Sequence, residues 1–127
     1  MLWFWIFMLI MALLIPLTMI GFGAYFKKTA PGKINRLFGY RTTRSMKNMD
    51  TWVFAHQQFG QIWFRLGLIL LPISVIAMLF CYGGSEDFVG FFGAGVTLVQ
   101  CVFLLLPIFF VESALKKNFD GEGYRKA

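Results

Sequence analysis

The sequence contains few of the side chains that build metal and catalytic sites. One histidine and two cysteines occur in 127 residues, and this set is too small for the usual zinc sites. No serine or cysteine has a base and an acid in a recognisable order. No glycine-rich phosphate loop occurs either, since Gly39 and Gly60 stand alone. We therefore expect no metal, no cofactor and no catalytic centre.

Charged residues are also scarce, and long apolar runs take their place. Only 14% of the residues are charged and 58% are hydrophobic, which is unlike a soluble domain. Apolar runs at 2–26, 62–82 and 88–115 each reach the roughly 20 residues that a helix needs to cross a bilayer. The predicted fold class is all-α, an integral membrane bundle of three transmembrane helices in a single domain, 1–127. The helices are expected at about 2–26, 51–82 and 88–115, with a loop at 27–50 and a tail at 116–127.

The few charges are unevenly distributed. Most basic residues lie between the first two runs or after the third, whereas the connection 83–87 contains Glu86, Asp87 and no basic residue. The positive-inside rule then places the N-terminus outside the cell membrane and the C-terminus in the cytosol. The basic segments would face phospholipids of the inner leaflet. Because this bias explains the net charge of +6, nucleic acid is not an expected partner.

The connection between the first two helices has a pattern of its own. Ile34, Leu37 and Phe38 recur at helical spacing, which predicts a short interfacial helix. Asn48 or Asp50 suits the N-cap of the second helix.

Small and polar residues mark the faces on which the helices are expected to pack. The third apolar run carries a stripe at three- and four-residue steps, which should face the bundle interior: Gly93, Thr97, Gln100, Leu104, Ile108 and Glu112. Gly21 and Gly23 permit close approach of a neighbouring helix. With only three helices and flat glycine faces, we also predict a homo-oligomer, a dimer in the first instance.

The polar segment between positions 35 and 60 resembles a known signature. It follows N-x3-G-x-R-T-x2-S-x6-W-x3-H-x3-G, through Asn35, Gly39, Arg41, Thr42, Ser45, Trp52, His56 and Gly60. This pattern is similar to that of the SdpI family of bacterial membrane proteins, and residues 112–126 resemble the tail of its small three-helix members. The resemblance implies a polytopic inner-membrane protein. The family's namesake confers immunity to a secreted membrane-active toxin peptide and holds a transcriptional repressor at the membrane.

The polar motif residues allow two interpretations. Arg41 and His56, with Asn35 and Ser45, could form a pocket for a lipid headgroup or a peptide segment. Alternatively, the same side chains pin the loop onto the second helix. Trp52 and Trp63 fit either membrane-interface anchoring and helix packing or a stacking wall for a ligand.

Glu112 has two interpretations as well. It could form an ion pair with Arg41 or Arg65, or share a proton relay with His56.

Three functions remain open from the sequence. The first is a binding and protection protein that engages a membrane-active peptide or a regulatory partner through the motif and Glu112. The second is a lipid-directed enzyme or proton-linked transporter that uses His56, Arg41 and Glu112. The third is a structural scaffold.

Overall fold

The chain folds into an all-helical bundle. The computed structural model describes residues 2–30, 32, 34 and 39–126. Its helices are α1 (Leu2–Lys28), α2 (Met49–Phe80), α3 (Glu86–Leu105) and α4 (Pro107–Asn118). Three helical stretches are long and apolar enough to cross a membrane: α1, α2 and the combined stretch Glu86–Asn118. The predicted fold class, a bundle of three transmembrane helices, is confirmed. The interfacial helix predicted at Ile34, Leu37 and Phe38 lies outside the described residues, apart from Ile34.

The third stretch changes its packing partners at Pro107. Leu106 keeps helical angles (φ −55°, ψ −40°), but Pro107 has no N–H to donate to the preceding turn. Before this break, α3 packs on both α1 and α2, whereas the backbone of α4 lies close to α2 and α3 and, among the described residues, not to α1. As a result, α1 and α4 separate at the end of the bundle where α1 ends and α2 begins. We call this the motif end, and the opposite end the turn end.

Glycines bring α1 and α2 into backbone contact. A Cβ atom on Gly23 would lie 2.5 Å from the Phe64 backbone nitrogen and 2.9 Å from the Gly60 carbonyl oxygen. A Cβ on Gly60 would collide with the backbone of Phe26 and Lys27. Since packing between membrane helices depends on such small residues, this crossing fixes how the motif end is assembled.

Two apolar clusters and a polar layer form the interior. The cluster at the motif end consists of Phe26, Tyr40, Ala55, Phe59, Val111, Leu115 and Phe119. The cluster at the turn end consists of Ala12, Met78, Cys81 and Val89. Between them Gln100, which is 1% exposed, donates from Nε2 to the Ala12 carbonyl and to Ser74 Oγ, both at 2.7 Å. Gln100 thus joins all three spans, and the predicted polar stripe does face inward.

Candidate functional site

The motif loop enters the bundle through a glycine. Gly39 has φ 105°, a backbone conformation that residues with a side chain rarely adopt. This conformation directs the next residue, Tyr40, inward. Tyr40 is 6% exposed, and its backbone N–H donates to His56 Nε2 at 2.8 Å. The glycine of the motif therefore sets the backbone direction that joins the loop to α2.

His56 is a structural link in this arrangement. It is fully buried, and its Nδ1–H donates to the Trp52 carbonyl oxygen at 2.7 Å while Nε2 accepts from Tyr40. These partners define the neutral tautomer with the proton on Nδ1. The Trp52 ring lies 4.2 Å from the imidazole, and Phe26 of α1 meets it edge-on at 5.1 Å. Both ring nitrogens thus bond to backbone groups.

The serine and threonine of the motif stabilise the turn before α2. The Thr42 N–H donates to Ser45 Oγ at 2.9 Å, and the Ser45 N–H donates back to Thr42 Oγ1 at 3.2 Å. The Ser45 hydroxyl also donates to the Tyr40 carbonyl oxygen at 3.1 Å. These side-chain bonds satisfy backbone groups of residues 42–45, which lie outside the helices.

The helix cap continues the same network. Asn48, one of the two predicted caps, accepts from the Thr51 N–H at 2.9 Å, and Thr51 Oγ1 accepts from the Asn48 N–H at 3.1 Å. This is a capping box. Thr51 Oγ1 also lies 3.0 Å from the Ser45 carbonyl oxygen, which joins the cap to the turn.

Glu112 connects α4 to the loop. Its Oε2 accepts from the Tyr40 hydroxyl at 3.0 Å and from Thr42 Oγ1 at 3.1 Å. Burial, followed by the nearby Glu112 carboxylate, raises the pKa of Tyr40. Two hydroxyl donors thus hold Glu112. The predicted ion pair with Arg65 is not found between these two described residues, and Arg65 is exposed.

The tail after α4 folds back onto the cap of α2. Asn48 Nδ2 donates to the Gly123 carbonyl oxygen at 2.7 Å. Phe119 is 3% exposed within the core of the motif end, and the guanidinium of Arg125 lies 4.9 Å from its ring centroid. Residues 119–125 therefore form a hairpin that closes the motif end.

A groove opens beside this network. Its volume is about 430 Å³, and it lies between α1 and the junction of α3 and α4. Gly39, Tyr40, Arg41 and Thr42 line one end, and α2 contributes Phe59 and Trp63. The remaining wall is almost entirely apolar: Thr18, Phe22, Phe26, Leu104, Leu105 and Ile108. The groove thus has a polar mouth at the motif loop and an apolar wall along the helices.

The structure gives the predicted site residues different positions. Gly39, Arg41 and Thr42 reach the groove, whereas Ser45, Trp52 and His56 are buried supports behind it. Gly60 serves the α1–α2 crossing, and Glu112 holds the loop without lining the groove. Asn35 lies outside the described residues.

Sequence reasoning missed Tyr40, and it left open whether Trp63 packs between helices or forms a wall for a ligand. Tyr40 bonds to both His56 and Glu112, and Trp63 lines the groove while donating from Nε1 to the Leu104 carbonyl oxygen at 3.1 Å. The position of Tyr40 between the motif residues Gly39 and Arg41 was the available signal.

The fold and the site define a small helical membrane protein in which a polar loop is built into one end of the bundle. The sequence model of the SdpI/YfhL protein family matches residues 32–111. The chain belongs to this family. Comparisons with curated proteins and with solved structures found no match.

Proposed function

We propose that this chain is a binding and protection protein that engages a membrane-active peptide or a regulatory partner through the motif loop. The groove is the observation that carries the proposal, because its lining combines Gly39, Arg41 and Thr42 with an apolar wall. An amphipathic partner has the matching chemistry: polar groups at the mouth and apolar side chains along the wall. Binding sites are typically concave and apolar, with a few polar groups that fix orientation.

The motif residues would contribute to binding in two different ways. Arg41 is exposed at the mouth, and its guanidinium carries five N–H donors suited to carboxylate or phosphate. His56 and Ser45 would act indirectly, because they hold the backbone of Tyr40 in place. The enzyme or transporter alternative gains no support from His56, since both ring nitrogens bond to backbone groups.

The expected orientation completes the proposal. The basic residues of the loop and tail favour a cytosolic motif end, with the N-terminus outside. A peptide that had entered the membrane would then meet the groove from the bilayer, and a cytosolic regulator would meet the loop and the tail.

A survival assay tests this function. A bacterial host that is sensitive to a secreted membrane-active peptide would express the parent chain, Arg41→Ala, His56→Ala or Arg65→Ala, at membrane levels measured by immunoblot. Arg65 is the matched control, because it is an exposed arginine of α2 that does not line the groove.

The parent and Arg65→Ala should protect the host, while Arg41→Ala should lose protection at an unchanged protein level. His56→Ala should protect less because its fold is weakened. Absence of protection by the parent, or equal protection by all four chains, would refute the proposal.

A further inference from the structure

The groove differs from the other large clefts of the described residues in its charge. A cleft of about 480 Å³ between α2 and α3, with Ser74 and Gln100 in its lining, has no cation. A depression of about 560 Å³ on α1 is lined by one helix only and also has no cation. Unlike these two clefts, the groove beside the motif combines an apolar wall with an arginine at its mouth.

The groove runs along α1. Thr18 and Phe26 both line it and lie eight residues apart, which corresponds to about 12 Å along the helix. An unbranched hydrocarbon chain could lie along this length.

The wall also favours hydrocarbon over an extended peptide. Its lining is almost entirely apolar, and a peptide backbone within it would leave N–H and C=O groups unpaired. A lipid chain has no such groups. The α1 and α3 residues of the wall belong to stretches that are long and apolar enough to span a membrane, so the groove lies at the depth of lipid chains.

The mouth has the chemistry of an anion site. Arg41 can bind a phosphate oxygen pair through a bidentate contact, and it also lines the groove. The described residues that line the groove include Arg41 and no acidic residue. A guanidinium in the lining favours a headgroup with net negative charge.

We infer that the groove binds one acyl chain of an anionic phospholipid, with the headgroup at Arg41. The inference rests on the proposed function only in taking this groove as the binding site. It adds a resident occupant that a peptide or regulatory partner would have to displace.

Tryptophan quenching tests this inference without any peptide. The full chain would be reconstituted in bilayers that contain a small fraction of phosphatidylglycerol or phosphatidylcholine with identical brominated acyl chains. Bromine quenches tryptophan fluorescence on contact. The groove signal is the quenching seen in the parent and lost in Trp63→Phe, because Trp63 lines the groove whereas Trp52 is fully buried.

The groove signal should reach half its maximum at an about fivefold lower fraction of brominated phosphatidylglycerol than of brominated phosphatidylcholine. This ratio corresponds to the preference of about 1 kcal/mol that is typical of one basic residue near an anionic lipid. Arg41→Gln should abolish this preference, and the control Arg65→Gln should retain it. Equal quenching by the two lipids in the parent would overturn the inference, as would a preference that survives in Arg41→Gln. A lipid preference without protection in the survival assay would remove the proposed function alone.

Discussion

Two residues that look equivalent in the sequence have different positions in the structure. Arg41 and His56 are both polar residues of one motif, and the sequence allows for each of them either contact with a ligand or a role in pinning the loop onto α2. Arg41 is exposed at the groove, whereas His56 is fully buried and bonds to the backbone on both sides. The motif spacing predicts that these residues belong together. Burial depends on how α1 and α2 cross, and the spacing does not contain that information.

His56→Ala should destabilise the fold. The substitution leaves the buried Tyr40 N–H without an acceptor and opens a cavity beside Trp52. Together these effects should cost about 2–4 kcal/mol. The midpoint of thermal unfolding in detergent, followed by circular dichroism, would measure the loss. Gln57→Ala, on an exposed neighbour, should change the midpoint little; equal midpoints for the two variants would contradict the structural role of His56.

Tyr40 should remain protonated at alkaline pH while the protein is folded. Burial, and next the Glu112 carboxylate, raise the pKa of Tyr40 above the ordinary value of about 10. The stabilisation from the neutral phenol is complete below pH about 10 and is lost as the pH rises towards the raised value.

A spectrophotometric titration can isolate this group. The phenolate absorbance of the parent minus that of Tyr40→Phe should stay near zero until the protein unfolds. A difference signal with a midpoint near the ordinary value, in folded protein, would show that Tyr40 is not held by Glu112 as described.

At the scale of helices, packing depends on which side of α1 a glycine occupies. The sequence marked Gly21 and Gly23 alike, but residues two apart on a helix point about 200° apart. Gly23 meets the backbone of α2, whereas a Cβ on Gly21 would have nothing within 4 Å. The presence of close-packing glycines could be predicted from the sequence. The contacting member could not, because it depends on the rotation of α1 in the bundle.

Gly23→Ala and Gly21→Ala should therefore have opposite effects. A methyl group at residue 23 would overlap the Phe64 and Gly60 backbones and should cost about 1–3 kcal/mol. A methyl group at residue 21 enters open space and should stabilise the helix by up to about 1 kcal/mol. Unfolding midpoints in detergent would compare the two, and a midpoint for Gly23→Ala at or above that of the parent would contradict the described crossing.

The break at Pro107 shows a second limit at this scale. The apolar run at 88–115 predicted one uninterrupted helix, and its hydropathy gives no sign of a change in partners. The structure separates α3 from α4 at Leu106, and the backbone of α4 approaches that of α2 and, among the described residues, not that of α1. Residues on both sides of this break line the groove, so the motif alone could not predict its wall.

For the whole molecule, the tail is part of the fold and not a loose end. The predicted tail, 116–127, received no structural role from its charge pattern. In the structure it buries Phe119 and bonds through Gly123 to the cap of α2. Contacts between residues 75 positions apart arise from tertiary packing, which a local pattern does not report.

Gly123→Ala should weaken this closure. Gly123 has φ 89°, and a Cβ there would lie 2.8 Å from both Asn48 Nδ2 and Lys47 Cβ. We expect a loss of about 1–3 kcal/mol and faster cleavage of the tail by a protease. Gly121→Ala is the matched control, since its Cβ would meet nothing within 4 Å. Equal cleavage rates for the two variants would show that the tail does not depend on the contact with Asn48.

The dimer expected from the glycine faces stays a prediction at this scale. Cross-linking of the parent in lipid bilayers should give a dimer band, and a monomer band alone would contradict it.

The bond between Asn48 and Gly123 also has a consequence for biosynthesis. The ribosome makes Asn48 long before Gly123, and α2, α3 and α4 are all synthesised between them. The cap of α2 can fold as soon as it emerges from the ribosome, but Gly123, which bonds to the cap, is made only after the last span has been translated. During that interval the Asn48 side-chain amide lacks the acceptor that it has in the finished protein.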